Sequence, residues 1–262
     1  MSRQNFYAAR RRRERREIDE ELVLAVIRRE RQQQPRMGGR KLHYLIRPDL
    51  MEAGVNIGRD RLFDLLAEHD LLVAPKPAKP RTTNSRHSLP IFRNQFSGMV
   101  LTSPNQAWAS DLTYVDTDEG FLYGALITDA YSRKIVGAHI GDSLETEGCI
   151  RALDEALKDL PAEAHPLHHS DRGSQYCCHA YVERLQSRGL GISMTEVLHC
   201  YENAMAERVN GILKQEYDLD RRFRTKTQAI EAFKQAVWLY NHRRPHLMLN
   251  YRMPAEVHAQ VA

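Results

Sequence analysis

The sequence predicts an all-α module followed by an α/β domain, whose mixed five-stranded sheet is flanked by helices. Apolar residues recur at helical spacing through much of the first 73 residues. From about residue 107, three short segments rich in β-branched and aromatic residues follow one another, and two more then alternate with helical segments. Three strands followed by alternating helices and strands are typical of an α/β layer arrangement.

Three helices are predicted in the N-terminal module, residues 1–73. The first covers residues 17–34, and two shorter ones lie around Arg40–Arg47 and Arg59–His69. This arrangement resembles a helix-turn-helix module, in which Arg59 and Arg61 would lie in the first turn of a recognition helix and contact DNA. The alternative is a small helical bundle with solvated arginines, and the pattern alone does not decide between them.

A basic, proline-rich segment separates the module from the α/β domain. Residues 74–98 are expected to form a linker, because their first part holds four prolines and lacks apolar periodicity. The α/β domain then covers residues 99–225. Residues 226–262 are expected to form a helical tail, whose Arg243 and Arg244 either contact DNA or cap a helix.

The elements of the α/β domain follow one another in a recognisable order. Turn residues separate three consecutive strands that we expect to be antiparallel. The predicted strands are 108–115, 121–128, 134–140, 165–169 and 190–194, and the predicted helices are 144–160, 174–188 and one from about 203. This order resembles the ribonuclease H-like fold.

Charge is distributed unevenly along the chain. The formal net charge of +4 is made of +8 in residues 1–90, −7 in residues 91–200 and +3 in residues 201–262. Of the 38 basic residues 30 are Arg, which suits bidentate contacts with phosphate. One interpretation is a polyanion bound by the basic ends and presented to central carboxylates. The other is an ordinary solvated surface.

Targeting and cysteine patterns indicate a cytoplasmic protein. No apolar run approaches the ~20 residues of a membrane helix, and the basic start lacks the apolar region of a signal peptide. Four cysteines are too few and too unevenly placed for a disulfide framework. They also lack a zinc-binding C-x-x-C pair, so we expect them to be structural.

Three carboxylates are the candidate catalytic and metal-binding residues. Asp111 in WASDLTY and Asp171 in HHSDRGSQY lie at strand ends or strand-to-loop junctions, and Glu207 follows on a helix after 35 intervening residues. Brought together, such groups would repel by roughly 4 kcal/mol per pair at ~4 Å, so they would take up protons or bind cations. Oxygen ligands favour Mg²⁺. A single Asp is more often a surface residue or a helix cap.

Order and spacing make a family resemblance specific. WASDLTY, HSDRGSQY, the 35-residue gap and YENAMAERVNGILKQE together resemble the DDE transposase/integrase superfamily, and most closely the OrfB transposases of the IS3 family of bacterial insertion sequences. The segments GGRKLHYLIR, NIGRDRLFDLLAEHDLLV and YNHRRPHLMLNYRMPAEVH resemble other parts of that family, so the likeness runs over nearly the whole chain.

The resemblance implies an enzyme that cleaves the ends of an insertion sequence and joins them to target DNA. Asp111, Asp171 and Glu207 would be catalytic and would ligate Mg²⁺ or Mn²⁺, two ions in all. Partners would be terminal-repeat and target DNA, further copies of the chain and the upstream-frame OrfA protein, as a fusion or a complex. A bacterial, nucleoid-associated location is expected.

Other residues receive supporting roles from the same resemblance. Lys214, seven residues after Glu207 on the same helix face, would hold a DNA phosphate, and Arg172 would also contact DNA. His169 and Ser170 would fix the loop that carries Asp171, and Asn203 would brace the approach to Glu207. A surface lysine and ordinary loop packing are the competing interpretations.

Two other classes of protein remain open from the residues alone. One is a DNA-binding regulator with a degenerate catalytic domain, which the intact carboxylates disfavour. The other is a nuclease that cuts the RNA strand of a hybrid, which would have no need of a helix-turn-helix module.

Overall fold

The chain folds into two compact units, Met1–Lys76 and Pro77–Ala262. A computed structural model describes residues 3–74, 89–196 and 203–260, without the side chains of residues 3–6 and 8–18. Most of the predicted linker, together with Glu202, His199 and Cys200, lies outside the described residues. No helix in the described ranges is long and apolar enough to cross a membrane.

The N-terminal unit consists of three helices, as predicted. They are α1 (Arg3–Gln33), α2 (Gly39–Glu52) and α3 (Arg59–Glu68). The first helix begins well before the predicted residue 17, because its Arg- and Glu-rich start is made of good helix formers although it lacks apolar periodicity. Apolar side chains of all three helices, including Ile27, Ile46 and Leu65, form one buried core.

Close approach of α2 and α3 depends on a glycine. A methyl group at Gly39 would lie 2.8 Å from the ring of Phe63, which is closer than carbon atoms normally approach. A side chain at this position would displace the half-buried ring of Phe63, so glycine lets the first turn of α2 pack closely on α3.

The second unit is built on a mixed five-stranded sheet, as predicted. Its strands are β1 (Ala107–Val115), β2 (Leu122–Asp129), β3 (Ile135–Gly141), β4 (Leu167–Ser170) and β5 (Gly191–Met194). They are ordered β3-β2-β1-β4-β5. The pairs β1–β2 and β2–β3 are antiparallel, whereas β1–β4 and β4–β5 are parallel.

Helices pack on the sheet and form most of the C-terminal part of the chain. They are α4 (Thr146–Lys158), α5 (Ser174–Cys177), α6 (His179–Ser187), α7 (Ala204–Glu216), α8 (Lys226–His242), a 3-10 turn (Leu247–Leu249) and α9 (Pro254–Ala259). The prediction of a single helix over residues 174–188 is wrong. Cys178 has extended backbone angles, φ −71° and ψ 149°, and separates α5 from α6.

Two apolar cores lie in this unit. One joins the sheet to α4, α5 and α6 and contains Trp108, which is 1% exposed, as expected for a core residue. The other joins the sheet to α7 and α8 through residues such as Val209 and Phe233. A methyl group at Gly137 of β3 would lie 2.1 Å from the carbonyl oxygen of Ala152, so this glycine lets α4 lie directly on the sheet.

Segments expected to be peripheral also pack on the sheet. Of the predicted linker, residues 89–98 are described, and there Leu89 and Phe92 contact the first core because they are apolar residues within a polar segment. The predicted tail places α8 in the second core. Its Asn241 side chain accepts from the N–H of Ile135 and donates to the carbonyl of the same residue, both at 2.9 Å, on edge strand β3.

Candidate active site

Parallel pairing of β1 with β4 brings Asp111 and Asp171 near each other. Ala109 pairs with His169 in that register, and each aspartate follows two residues later along strands that run in the same direction. Asp111 lies within β1, whereas Asp171 is the first residue after β4. Both aspartates are half-buried, so substrate can reach them at this end of the two strands.

The carboxylate of Asp111 is held by two hydrogen bonds. Its Oδ1 accepts from the N–H of Leu112 at 2.9 Å, and its Oδ2 accepts from Nδ2 of Asn210 at 2.8 Å. Burial raises the pKa of Asp111 to about 7, and the negative charges of Asp171 and, more weakly, Glu207 contribute to the rise. The two hydrogen bonds act in the opposite direction. Perturbed carboxyl groups of this kind are typical of functional sites.

One face of α7 lies against β1. Asn203, Glu207, Asn210 and Lys214 recur at spacings of four, three and four, which places them on one side of the helix. Asn203 is the N-cap residue and donates from Nδ2 to the carbonyl of Ser110 at 3.0 Å. This face therefore fixes Glu207, in the first turn, beside the strand that carries Asp111.

Asn210 is a site residue that the sequence analysis missed. It is buried, and besides Asp111 it donates to the carbonyl of Leu112 at 3.4 Å. Its position three residues after Glu207 is the signal that could have identified it, because residues three apart share a helix face.

The three carboxylates interact electrostatically without converging. Among the described residues, no group of three or more His, Cys, Asp or Glu side chains is close enough to hold a metal ion. Mutual repulsion of like charges opposes such convergence. The Oδ1 atom of Asp171 accepts from the N–H of Gly173 at 2.9 Å, which orients this carboxylate within its loop.

A buried hydrogen-bond network lies beneath the carboxylates. The Nε2 atom of His168 is 2.7 Å from the hydroxyl of Ser110 and 2.9 Å from the hydroxyl of Tyr181. Burial, together with neighbouring His169, lowers the pKa of His168 to about 3, so the imidazole is neutral near pH 7. Burial also raises the pKa of Tyr176 well above its usual value. The strand that carries Asp111 is thus anchored by uncharged polar groups.

His169 and Ser170 connect the Asp171 loop to its surroundings. His169 is fully buried, its Nδ1 lies 2.9 Å from the hydroxyl of Ser193, and its ring stacks on Phe96 at a centroid distance of 4.8 Å. The hydroxyl of Ser170 donates to the carbonyl of Asp171 at 3.0 Å. These contacts fix the end of β4, from which the loop departs.

Basic residues near the site differ in their surroundings. Arg172 donates to the carbonyl of Thr195, and Lys214 is half-buried in the last turn of α7. Arg244 is only 4% exposed and forms a bidentate ion pair with Glu216, at 2.8 and 2.9 Å. The carboxylate of Glu216, at the end of α7, is therefore bound by Arg244.

The two arginines predicted to contact DNA from α3 form ion pairs within the N-terminal unit. Arg59 lies 2.7 Å from its neighbour Asp60. Arg61 is paired with Glu20 at 2.6 Å and with Glu68 at 2.9 Å, and these two carboxylates raise the pKa of its guanidinium. Arg61 thus ties α3 to α1.

Comparisons with known proteins agree with this geometry. A family model described as an integrase core domain matches residues 102–200, and a second of the same description matches residues 188–254. The 31 kDa protein of insertion element IS600 from Shigella sonnei is 39% identical over 212 residues, which is 80% of this chain and 78% of that protein. The transposase for insertion sequence element IS629 from Shigella sonnei is 34% identical over 207 residues, which is 79% of this chain and 70% of that protein.

A solved structure supports the fold. A chain of the simian T-cell lymphotropic virus intasome, in complex with PP2A regulatory subunit B56 gamma, has a TM-score of 0.51 and 19% identity. The match covers 85% of this chain and 75% of that chain. Together with the observed strand order, this likeness confirms the predicted ribonuclease H-like fold.

Proposed function

Since the chain belongs to the IS3 family of insertion-sequence transposases, whose catalytic unit is an integrase core, we propose that Asp111, Asp171 and Glu207 are its catalytic carboxylates. The chain is a DNA transposase of the DDE type, a polynucleotidyl transferase, as the sequence predicted. The observation that supports the assignment is the register of β1 and β4, which puts the two aspartates at the same end of neighbouring strands, where both they and Glu207 of α7 interact electrostatically.

The chemistry of the donor set fits divalent metal ions. All three side chains offer carboxylate oxygens, which suit Mg²⁺ or Mn²⁺. Burial is the main cause of the raised pKa of Asp111, and the negative charges of Asp171 and Glu207 add to it; bound cations would offset these charges. When bound, two such ions would lower the pKa of the attacking oxygen and stabilise charge on the leaving oxygen of a phosphodiester.

The protein contributes position rather than a covalent intermediate. Asn210 and the Leu112 N–H orient the Asp111 carboxylate, and the Gly173 N–H orients that of Asp171. Water first attacks a phosphodiester at the end of the element and releases a 3′-hydroxyl. That hydroxyl then attacks a phosphodiester of target DNA, so one DNA bond is exchanged for another.

DNA is held by basic side chains around this site. Lys214 lies on the α7 face that carries Glu207, two turns further along, where its ammonium group holds a phosphate of the element end. Arg172, the residue after Asp171, contacts the same DNA strand. Joining two element ends requires several copies of the chain, with OrfA as a fusion partner or a separate subunit.

The assignment is tested by replacing Asp171 with Asn in the full chain. We expect Asp171→Asn to abolish Mg²⁺- or Mn²⁺-dependent cleavage and joining of an oligonucleotide that carries the element end, because the variant loses an anionic ligand. DNA binding in chelator should persist. Gel analysis of labelled strands measures both reactions, and fluorescence anisotropy measures binding.

A matched control separates loss of charge from loss of fold. Asp159→Asn removes an exposed carboxylate at the end of α4 and should leave cleavage and joining unchanged. Joining by Asp171→Asn at the wild-type rate would refute the catalytic role of this residue.

A further inference from the structure

The solvent-exposed side of α2 carries a basic and aromatic stripe. Arg40, Tyr44, Arg47 and Met51 recur at spacings of four, three and four, so they share one face of the helix. All four are exposed, Tyr44 by 45% and Met51 by 59%. The other side of α2 buries Leu42, Ile46 and Leu50 in the core, which fixes the direction in which the stripe faces.

The two arginines of this stripe are unpaired within the part of the chain that the structure describes. Among the described residues, the side chains of Arg40 and Arg47 make no hydrogen bond or ion pair. The nearby carboxylate of Asp49 is paired with Arg29 of α1. Glu52 stands beyond Met51, at the very end of the helix. The positive charge of the stripe is therefore available to a partner.

In helix α3, by contrast, the arginines are paired with carboxylates. Its two arginines are offset by Asp60, Asp64 and Glu68. The side chain of Asp60 is 84% exposed in the first turn, where it would repel a phosphate. Arg61 is held by two carboxylates, so releasing it to bind DNA would break both ion pairs.

We propose that α2, rather than α3, is the helix of the N-terminal unit that contacts duplex DNA, through Arg40, Tyr44 and Arg47. A guanidinium group can bind a DNA phosphate with two hydrogen bonds, and a helix of this width fits the major groove between the phosphate backbones. The exposed tyrosine between the arginines adds a planar contact and a hydroxyl group. The proposal rests on DNA being the substrate of the chain and does not depend on which residues are catalytic.

The salt dependence of DNA binding tests the proposal. We expect the full chain with Arg40→Ala and Arg47→Ala to bind a duplex more weakly and to lose about two from the slope of log K against log salt, since each phosphate contact contributes about one. Tyr44→Ala should weaken binding and leave the slope unchanged, because it removes no charge. Fluorescence anisotropy with a labelled duplex, in chelator, measures affinity without strand cleavage.

Matched variants decide between the two helices. Arg59→Ala removes an exposed arginine of α3, and Arg151→Ala removes an exposed arginine of α4 that pairs with Glu147. Neither should change the slope. The double variant Arg40→Lys and Arg47→Lys should keep the wild-type slope because it keeps both charges.

An unchanged slope in the double alanine variant, or a reduced slope in Arg59→Ala, would overturn the proposal. Thermal unfolding shows whether each variant remains folded, and the exposure of these side chains predicts that it does. The chelator removes any contribution from catalysis, so the catalytic assignment can fail while this proposal stands, and the reverse also holds.

Discussion

Replacing Asp111 with Asn should stabilise the metal-free protein while it abolishes transposition. The variant keeps the shape of the side chain but removes a carboxylate whose ionised form is disfavoured by burial and by the charge of Asp171. The pKa of Asp111 is about 7 in the folded chain against an ordinary value of 3.8. At about 1.36 kcal/mol for each pKa unit, the difference corresponds to roughly 4 kcal/mol.

Proton binding fixes the sign and the pH range of this effect. Between pH 3.8 and about 7 the folded protein holds a proton on Asp111 that the unfolded chain has released. The free energy of unfolding therefore falls as pH rises through this range. Asn at this position cannot ionise, but it accepts only one of the two hydrogen bonds, a loss of about 1 kcal/mol. We expect a net gain of about 3 kcal/mol above pH 7, shrinking towards pH 4.

Urea unfolding in chelator at several pH values measures the difference. Both tryptophans, Trp108 and Trp238, lie in the catalytic unit, so their fluorescence follows the part of the chain that holds Asp111. Asp159→Asn serves as the exposed control and should show no pH-dependent gain. A gain for Asp111→Asn that stays constant from pH 4 to pH 8, or a loss of stability at pH 8, would refute the reasoning.

Two further predictions concern the supports of the site. Arg244→Met should lower the free energy of unfolding by about 3–5 kcal/mol, because it breaks a largely buried ion pair with Glu216, and adding Glu216→Leu should restore most of the loss. Urea unfolding of both variants checks this, and a full loss in the double variant would contradict it. Asn210→Ala should reduce strand joining by about 10–100-fold, because Asp111 loses its orienting donor. Gln215→Ala, exposed on the same helix, should have no effect, and equal rates for the two variants would argue against an orienting role.

Sequence reasoning succeeded where the information is local. Alternating apolar residues around Asp111 predicted β1, and the bounds of the first three strands differ from the predicted ones by at most one residue at each end. The three carboxylates are predicted as catalytic residues from the same kind of signal, because each lies in a short motif at a fixed spacing, and this assignment stays a prediction. Such signals survive without knowledge of the tertiary structure.

Contacts between distant segments could not be predicted in the same way. Asn210 donates to a carboxylate 99 residues away, so its role follows only once the α7 face that meets β1 is known. Arg244 looked like a DNA ligand or a helix cap, and its pairing with Glu216 depends on how α8 crosses α7. The break at Cys178 has no Gly or Pro to announce it.

The amide of Asn241 also bears on the solubility of the catalytic unit. Strand β3 is an edge of the sheet, and Asn241 occupies the N–H and carbonyl of Ile135 as a neighbouring strand would. An open edge of this kind is a template for pairing with another molecule. Removing residues 226–262 would expose this edge together with the apolar surface now covered by Phe233. A core fragment shortened in this way is expected to aggregate through β3. Helix α8 therefore protects this edge from pairing with a strand of another molecule.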